Sequence, residues 1–516
     1  MKKATVIGAG VAGLATAAFL AREGYDTTVV EKNDTVGGRA GELTVDGFRF
    51  DTGPSWYLMP EVFEHFFNLF GTSTEKELEM VDLTPAYRLF SEGEAPIDVR
   101  SGINEAAELF ESIEPGAGEK IREYLDSSSD VYRIATERFL YTTFTSLWPF
   151  LHKDVRDRLG LLITLLTRPL DKYVAERFHD HRLRQMLTYP AVFLSSHPER
   201  TPALYHLMSE TDLVQGVQYP QGGFTAVIKA IEKIAREQGV SIQLNTEVTA
   251  ITTEGKDVTG VRVRRQDASV DTYASDIVVS GADLHFTETR LLPPEKRTYP
   301  EKYFGTREPG LSAVLVMLGV KGKIPELTHH NLLFSKDWDK DFSVVFDGPN
   351  AQRPLNSSQS IYISMPSATD PSTAPDGDEN LFILVPTPAM EGLGRGDAYA
   401  EQASPAVEAI TEDVIDQVAA WCGVEDLRER IVVKRTLGPQ DFAERYHAWR
   451  GGAIGPSHTL RQSAFFRGSN ASKKVRGLYY AGATTVPGVG VPMCLISAEN
   501  VVKRLRGDSS PGPLAS

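Results

Sequence analysis

The chain has 516 residues, 41% hydrophobic and 24% charged, the proportions of a soluble globular protein with room for two to four domains. A formal charge of −15 and a pI near 5.3 argue against nucleic acid as a main partner, since phosphate recognition needs a basic face, but leave a local membrane-binding patch open. Two cysteines, Cys422 and Cys494, are too few for an iron–sulfur cluster or a disulfide framework, so a reducing cytoplasm is the natural compartment.

The first sixty residues read as strand, turn, helix, strand. Ala4–Ile7 is β-rich, Leu14–Arg22 favours helix until Gly24 stops it, and Thr27–Val30 is a second strand ending on Glu31. Lys2 and Lys3 before the apolar run imitate a signal peptide or a minimal membrane span, but Gly8, Gly10 and Gly13 would weaken such a helix. Those glycines form GxGxxG in its required frame, with an acid about 20 residues on. Gly8 permits the turn, Gly10 lets backbone approach a pyrophosphate, Gly13 allows helix and strand to pack closely, and Glu31 can accept from ribose hydroxyls. The expected dinucleotide contacts here are Gly8, Ala9, Gly10, Ala12, Gly13, Glu31 and Lys32.

The next element decides which dinucleotide. "EKNDTVGGRAGE" followed by "FDTGPS" resembles the GG-R region of the flavoprotein superfamily that contains amine oxidases, carotenoid desaturases and Rab GDP-dissociation inhibitors. That resemblance implies FAD rather than NAD, with Gly38 and Arg39 along the cofactor.

Strands are expected around Tyr87–Phe90 and Ile97–Val99, then a helical region from about Gly118 to Leu213. Within it "RLGLLITLLTRPL" is apolar all round, either a buried core helix or the lining of an apolar tunnel and membrane-facing mouth. Asp180 and Arg184 stand four apart and would share one helix face. His179, His181, His197 and His206 match no compact ligand set, so no metal is expected. The pattern then returns to α/β. Val227, Ile228, Ile231, Ile234 and Ala235 recur at helical spacing, strands follow at Ile242–Leu244 and Val248–Ile251, and a hairpin and a strand from Ile277 come next. "PSATDPSTAPDGDEN" reads as a turn-rich surface loop. The uncharged stretch from Gly477, "GLYYAGATTVPGVGVPMCLIS", is broken by Pro487 and Pro492. It reads as buried strand, turn and helix start instead of a membrane anchor.

"YPQGGF", "VVSGAD", "HHNLLF", "GPQDF", "QSAFFR" and the Gly477 segment, in this order over almost the whole chain, resemble the bacterial-type phytoene desaturases. The resemblance implies an α/β fold with a Rossmann-like FAD-binding domain of the amine oxidase and GDP-dissociation-inhibitor type. It adds an inserted sheet-based substrate domain and a helical membrane-associating region. The corresponding segments are 1–80, 215–300 and 470–506 for FAD, 81–112 and 301–469 for substrate, 113–214 for the helical region, and 507–516 as a flexible tail. Val248, Gly482, Gly490, Val491, Pro492 and Met493 join the expected FAD contacts. The implied activity is FAD-dependent desaturation of an apolar polyene, phytoene to neurosporene- or lycopene-type products. The enzyme would sit peripherally on the cytoplasmic side of the cell membrane, with oxygen or a quinone taking the electrons. Asp180 and Arg184 match a polar pair near the flavin in related desaturases, which makes them the expected catalytic residues. The chain departs from the family pattern at Val486, where a histidine usually precedes the proline, at Thr484, and at Gly468, where proline often follows the arginine. Val486 offers no proton chemistry. Related ketolases or oxygenases, retinol saturases, a flavin amine oxidase and a GDP-dissociation-inhibitor-like binding protein are the alternatives.

Overall fold

The computed structural model describes residues 1–145, 152–349 and 352–515. Residues 146–151 of the expected helical region, 350–351 of the substrate region and Ser516 of the tail lie outside these. A five-stranded parallel sheet is assembled from distant parts of the chain. Its strand order is Leu478–Tyr480, Ile277–Ser280, β1 (Lys3–Ile7), β2 (Asp26–Val30), Ser241–Gln243. Strands such as Ile277–Ser280 are buried throughout, as a parallel sheet covered on both faces requires.

Helix α1 (Val11–Arg22) is buried from Val11 to Leu20 and packs against helices Gly223–Glu237 and Val491–Arg506. This accounts for its uniformly apolar sequence, since no face meets water. A Cβ on Gly13 would stand 1.9 Å from the Gly8 carbonyl oxygen, so only glycine allows that helix–strand approach.

The second layer is a seven-stranded sheet, ordered Ile431–Leu437, Leu311–Val320, Glu379–Pro388, Ile361–Ser364, His330–Phe334, Tyr87–Ser91, Ile97–Val99. All its pairs are antiparallel except His330–Phe334 with Tyr87–Ser91, where the early hairpin joins the later strands. Helix Pro405–Cys422 covers one face and the helical region packs against the other.

The Pro366 segment is the expected turn-rich loop between strands, with Ala368, Pro371, Ser372, Asp376 and Gly377 exposed, and its buried Asp370 accepts from the Gly222 amide at 2.9 Å and from Arg49 at 3.3 Å. Two expectations need correction. The C-terminal segment is fastened, because the fully buried Lys503 ammonium donates to the carbonyls of Tyr141, Ser510 and Gly512, and the Leu514 amide donates to Glu499. Helix Leu159–Thr167 buries only Leu162 and Leu165, which removes the buried-core reading. No helix among the described residues is long and apolar enough to cross a membrane.

Candidate functional site

The two glycine turns near the N-terminus lie against each other. Gly10 bridges Gly37, the Gly37 amide donates to the Ala9 carbonyl at 2.8 Å, and a Cβ on Gly38 would come within 3.3 Å of the Gly10 Cα. Helix α1 starts at Gly10 without a side-chain cap, which leaves its first amides and the positive dipole end facing this Cβ-free trough. Ala12 is in its first turn. Glu31, 6% exposed, accepts the Ala9 amide at 2.8 Å with one oxygen and the Asn33 amide and side chain at 2.9 Å with the other. Neighbouring Lys32 donates to the Glu444 carbonyl and lies 3.5 Å from His447, and burial lowers its pKa. The Thr246 amide donates to the Glu31 carbonyl, bringing the start of strand Thr246–Glu254 alongside, with Val248 buried at the edge of a bulge. Arg39 donates through Nη1 to Ile454 O at 3.3 Å, while its Nε is buried without a partner among the described residues. A trough without side chains, open helix amides, a buried acid and an unused guanidinium donor fit a dinucleotide diphosphate.

The second wall is the uncharged turn near the C-terminus. Its residues Thr484–Val489 are buried, whereas Gly490 is exposed and Val491, Pro492 and Met493 are half-buried at the uncapped start of helix Val491–Arg506. The Gly482 amide is held by Ser497 Oγ at 3.0 Å. With φ of +155° at Gly488 and +113° at Gly490, the turn takes a backbone path that side chains rarely follow. The first helix amides, the backbone of Gly490 and the Arg39 end of the trough can therefore border a planar ring.

Two residues outside the expected set of cofactor contacts hold this turn. His458 packs its ring on Gly488, where a Cβ would come within 2.2 Å, and its Nε2 accepts the Val489 amide at 3.2 Å. Since Nε2 accepts, Nδ1 carries the proton and donates to Tyr205 Oη at 2.8 Å, and Tyr205 donates onward to Ser463 at 3.0 Å. Burial keeps this imidazole far below its ordinary pKa and neutral, as acceptance of an amide requires. Arg467, also buried, donates to the carbonyls of Thr485, Ala483, Pro456 and Gln462. Burial lowers its pKa to about 10, so it stays charged at neutral pH. Gly468 forms a bridge with Thr485, and a Cβ on it would fall 2.6 Å from Leu284 Cδ2. Thr484 Oγ1 accepts the Leu284 amide at 3.1 Å. Only the "QSAFFR" motif pointed to Arg467. Nothing local marks His458, whose partner is 31 residues away.

Asp180 and Arg184 are not brought together. Asp180 is the N-cap of helix His181–Thr188, with extended dihedrals, and accepts the Arg182 amide at 2.9 Å. Its carboxylate forks with the Arg182 guanidinium, which holds its pKa below the usual range. Arg184 donates instead to the Phe178 carbonyl at 2.7 Å. A residue at the cap lies outside the helical repeat, so the i,i+4 geometry does not apply. No group of three or more metal-ligating side chains occurs among the described residues.

The flavin containing amine oxidoreductase family matches residues 11–506. A carotenoid 3,4-desaturase of Haloarcula japonica is 40% identical, over 98% of each chain. A zeta-carotene-forming phytoene desaturase of Myxococcus xanthus is 33% identical, over 98% of this chain and 94% of that one. Putrescine oxidase bound to putrescine shares the fold at a TM-score of 0.58 and 15% identity, covering 98% of this chain and 99% of that one. A Rab GDP-dissociation inhibitor from Plasmodium falciparum does so at 0.54 and 11%, covering 100% and 99%. The chain belongs to the flavin containing amine oxidoreductase family and, within it, to the bacterial-type carotenoid desaturases.

Proposed function

We propose that the chain binds its flavin as FAD and dehydrogenates a carbon–carbon single bond of an acyclic carotenoid, phytoene or a more desaturated relative of it. The observation that carries the reading is the Gly482–Met493 turn, uncharged, glycine-shaped and held from behind by His458 and Arg467. The trough from Gly8 to Arg39 accommodates the diphosphate and Glu31 the ribose. A bound flavin would supply the two-electron acceptor for hydride from an allylic C–H bond, with the proton of the neighbouring carbon passing out to solvent. The uncapped helix start at Val491–Met493 and the Arg467 charge behind the turn stabilise negative charge on that side. Apolar walls orient the chain and keep water out, the main service that a substrate without ionisable groups can receive.

Exposed Leu159, Leu161, Ile163 and Leu166 form, with Leu460, Phe465 and Phe466, the surface through which the enzyme meets the membrane that stores its substrate. The electrons pass to oxygen or a membrane quinone.

The test is to extract and identify the flavin, then incubate the loaded protein with phytoene and with partly desaturated acyclic carotenoids, with oxygen or a quinone present. The expected result is FAD and a lengthened chromophore. FAD-loaded protein that leaves every such polyene unchanged sinks the proposal.

A further inference from the structure

A flavin reduced by a polyene has to unload two electrons, and the described residues offer them no onward centre. They hold no group of metal-ligating side chains and only free cysteines, so the acceptor comes from outside. A second cleft lies where an acceptor can reach the cofactor site. It runs between residues 283–285, 303–307 and 449–468, encloses about 390 Å³ with its open mouth included, and ends on Thr484 and Arg467. Thr484 belongs to the C-terminal turn, and Arg467 clasps Ala483 and Thr485 on either side of it. Gly482 faces the trough, where a Cβ on it would stand 3.5 Å from that of Ala12. One wall of the cleft is therefore the back of the cofactor site.

The other walls are aromatic. Trp449 stacks on His285 at 5.8 Å and 26°, and Phe304 stands edge-on to both, at 5.5 and 4.8 Å. Asp283 fixes this stack, since one carboxylate oxygen accepts the His285 amide at 2.8 Å and the other the Trp449 amide at 3.2 Å. Two guanidinium groups outweigh that single charge. Arg467 is buried and charged, and Arg307 lies 4.6 Å over the Tyr303 ring with its Nη1 on the Arg461 carbonyl. Neither has a carboxylate partner among the described residues. At the mouth, Gln462 leads into the exposed Phe465 and Phe466.

We infer that this cleft is the docking site of a lipid quinone, the acceptor that empties the flavin, and that it is separate from the polyene site. The inference rests on the flavin chemistry proposed above and names its second substrate. A quinone head is flat and uncharged when it enters, which suits aromatic walls, and gains electron density on reduction, which suits two guanidinium charges. A phosphate would meet spent donors at Arg467, where every guanidinium nitrogen already serves a carbonyl. A C40 polyene is too long for so short a cleft. The isoprenoid tail of the quinone leaves through the mouth toward the apolar surface. In the step, two electrons cross the turn and two protons enter from solvent, so that both quinone carbonyls become hydroxyls. The two protons of the reduced flavin return to solvent. His285, 3.1 Å from the exposed Glu301, is placed to pass protons inward.

The experiment uses the FAD-loaded protein with its flavin reduced by light and EDTA in the absence of oxygen, so that no polyene is needed. A benzoquinone with a ten-carbon tail is mixed in, and flavin absorbance is followed in the wild type, Arg307→Gln and Trp449→Leu. Reoxidation should saturate with quinone. Each variant should raise the half-saturating concentration roughly 10-fold, the worth of one charged or aromatic contact, at unchanged reoxidation by oxygen. Saturating polyene should leave the quinone constant as it is. Reoxidation linear in quinone, unaltered constants in both variants, or competition between quinone and polyene overturns the inference. Arg307 is partly exposed, so Arg307→Gln carries the test if Trp449→Leu fails to fold. If quinone empties the flavin in this way but no polyene fills it, the polyene proposal falls and the cleft stands.

Discussion

Asp180 and Asp212 show how position gives one residue type different tasks. Asp180 caps a helix and pairs with Arg182, so its carboxylate acts on local stability. Asp180→Ala should cost about 1 kcal/mol, the usual worth of an N-cap, and Asp180→Asn, which keeps the acceptor, much less. Turnover per bound flavin should hold in both. Loss of turnover in Asp180→Asn at wild-type melting temperature and flavin content would return a chemical role to the carboxylate. Asp212 is 2% exposed, takes the Tyr189 hydroxyl at 2.6 Å, and is pushed up by burial to about 7. The folded protein therefore keeps a proton that the unfolded chain gives up above about pH 4, so this group's effect on stability worsens as pH rises from about 4 to 7. The loss is up to ~4 kcal/mol, complete above the folded pKa. Asp212→Asn should flatten this part of the stability curve. Melting temperatures from pH 5 to pH 8 that fall in parallel for variant and wild type would contradict this assignment.

At the scale of elements, helix Leu159–Thr167 is the least ordinary, with Leu159 and Ile163 each 52% exposed. It packs on Ala203–Met208, whose Tyr205 donates to Ser463, and Phe144 lies 6.4 Å from Phe465, which ties Leu460–Phe466 to the helical region. The flanking arginines are already neutralised, Arg158 by Asp130 and Arg168 by Glu176. Vesicle binding should therefore be driven by apolar contact and largely survive 0.5 M salt, unlike a basic patch. A Leu159→Asp, Ile163→Asp double variant should bind neutral lipid vesicles at least ~10-fold more weakly in co-sedimentation, given the worth of burying even part of such side chains. Binding that vanishes in salt but ignores the double variant would refute it.

This helix also shows what could be read in advance and what could not. Its burial was ambiguous because a sequence apolar all round has no moment to orient it. The glycine trough was legible because the chemistry of Gly8, Gly10, Gly13 and Gly38 is local to a strand–turn–helix. Helix Gly223–Glu237 was equally plain, since Val227, Ile228, Ile231, Ile234 and Ala235 are all buried as their spacing requires. His458 and the Lys503 anchor of the C-terminal tail were out of reach, because each acts through partners brought together only by the fold.

Across the whole molecule, one return segment joins the two sheets. After the last strand of the seven-stranded sheet the chain crosses back over the nucleotide domain, and the contacts along it run in order. Glu444 O takes the Lys32 ammonium, Arg445 O takes Asn33, Ile454 O takes Arg39, His458 takes Val489, and Arg467 grips Ala483 and Thr485. Every one of these partners lies in or beside the cofactor trough or the C-terminal turn, so the substrate-side segment serves as a clasp over the flavin site. A flavin held between the trough and the C-terminal turn should therefore stabilise both layers together. In the wild-type protein, release of flavin fluorescence and loss of far-UV circular dichroism should coincide on heating. Arg467→Met strands four carbonyls around an apolar chain of similar length, and buried acceptors without donors cost about 1–3 kcal/mol each before relaxation. Because those carbonyls belong to the clasp and the turn, while both sheets keep their ladders, the damage should be local. Flavin should leave several degrees before the dichroism changes, and the variant should purify with less of it. If Arg467→Met instead lowers both transitions together by the same amount, Arg467 is an ordinary core anchor and the clasp has no separate existence.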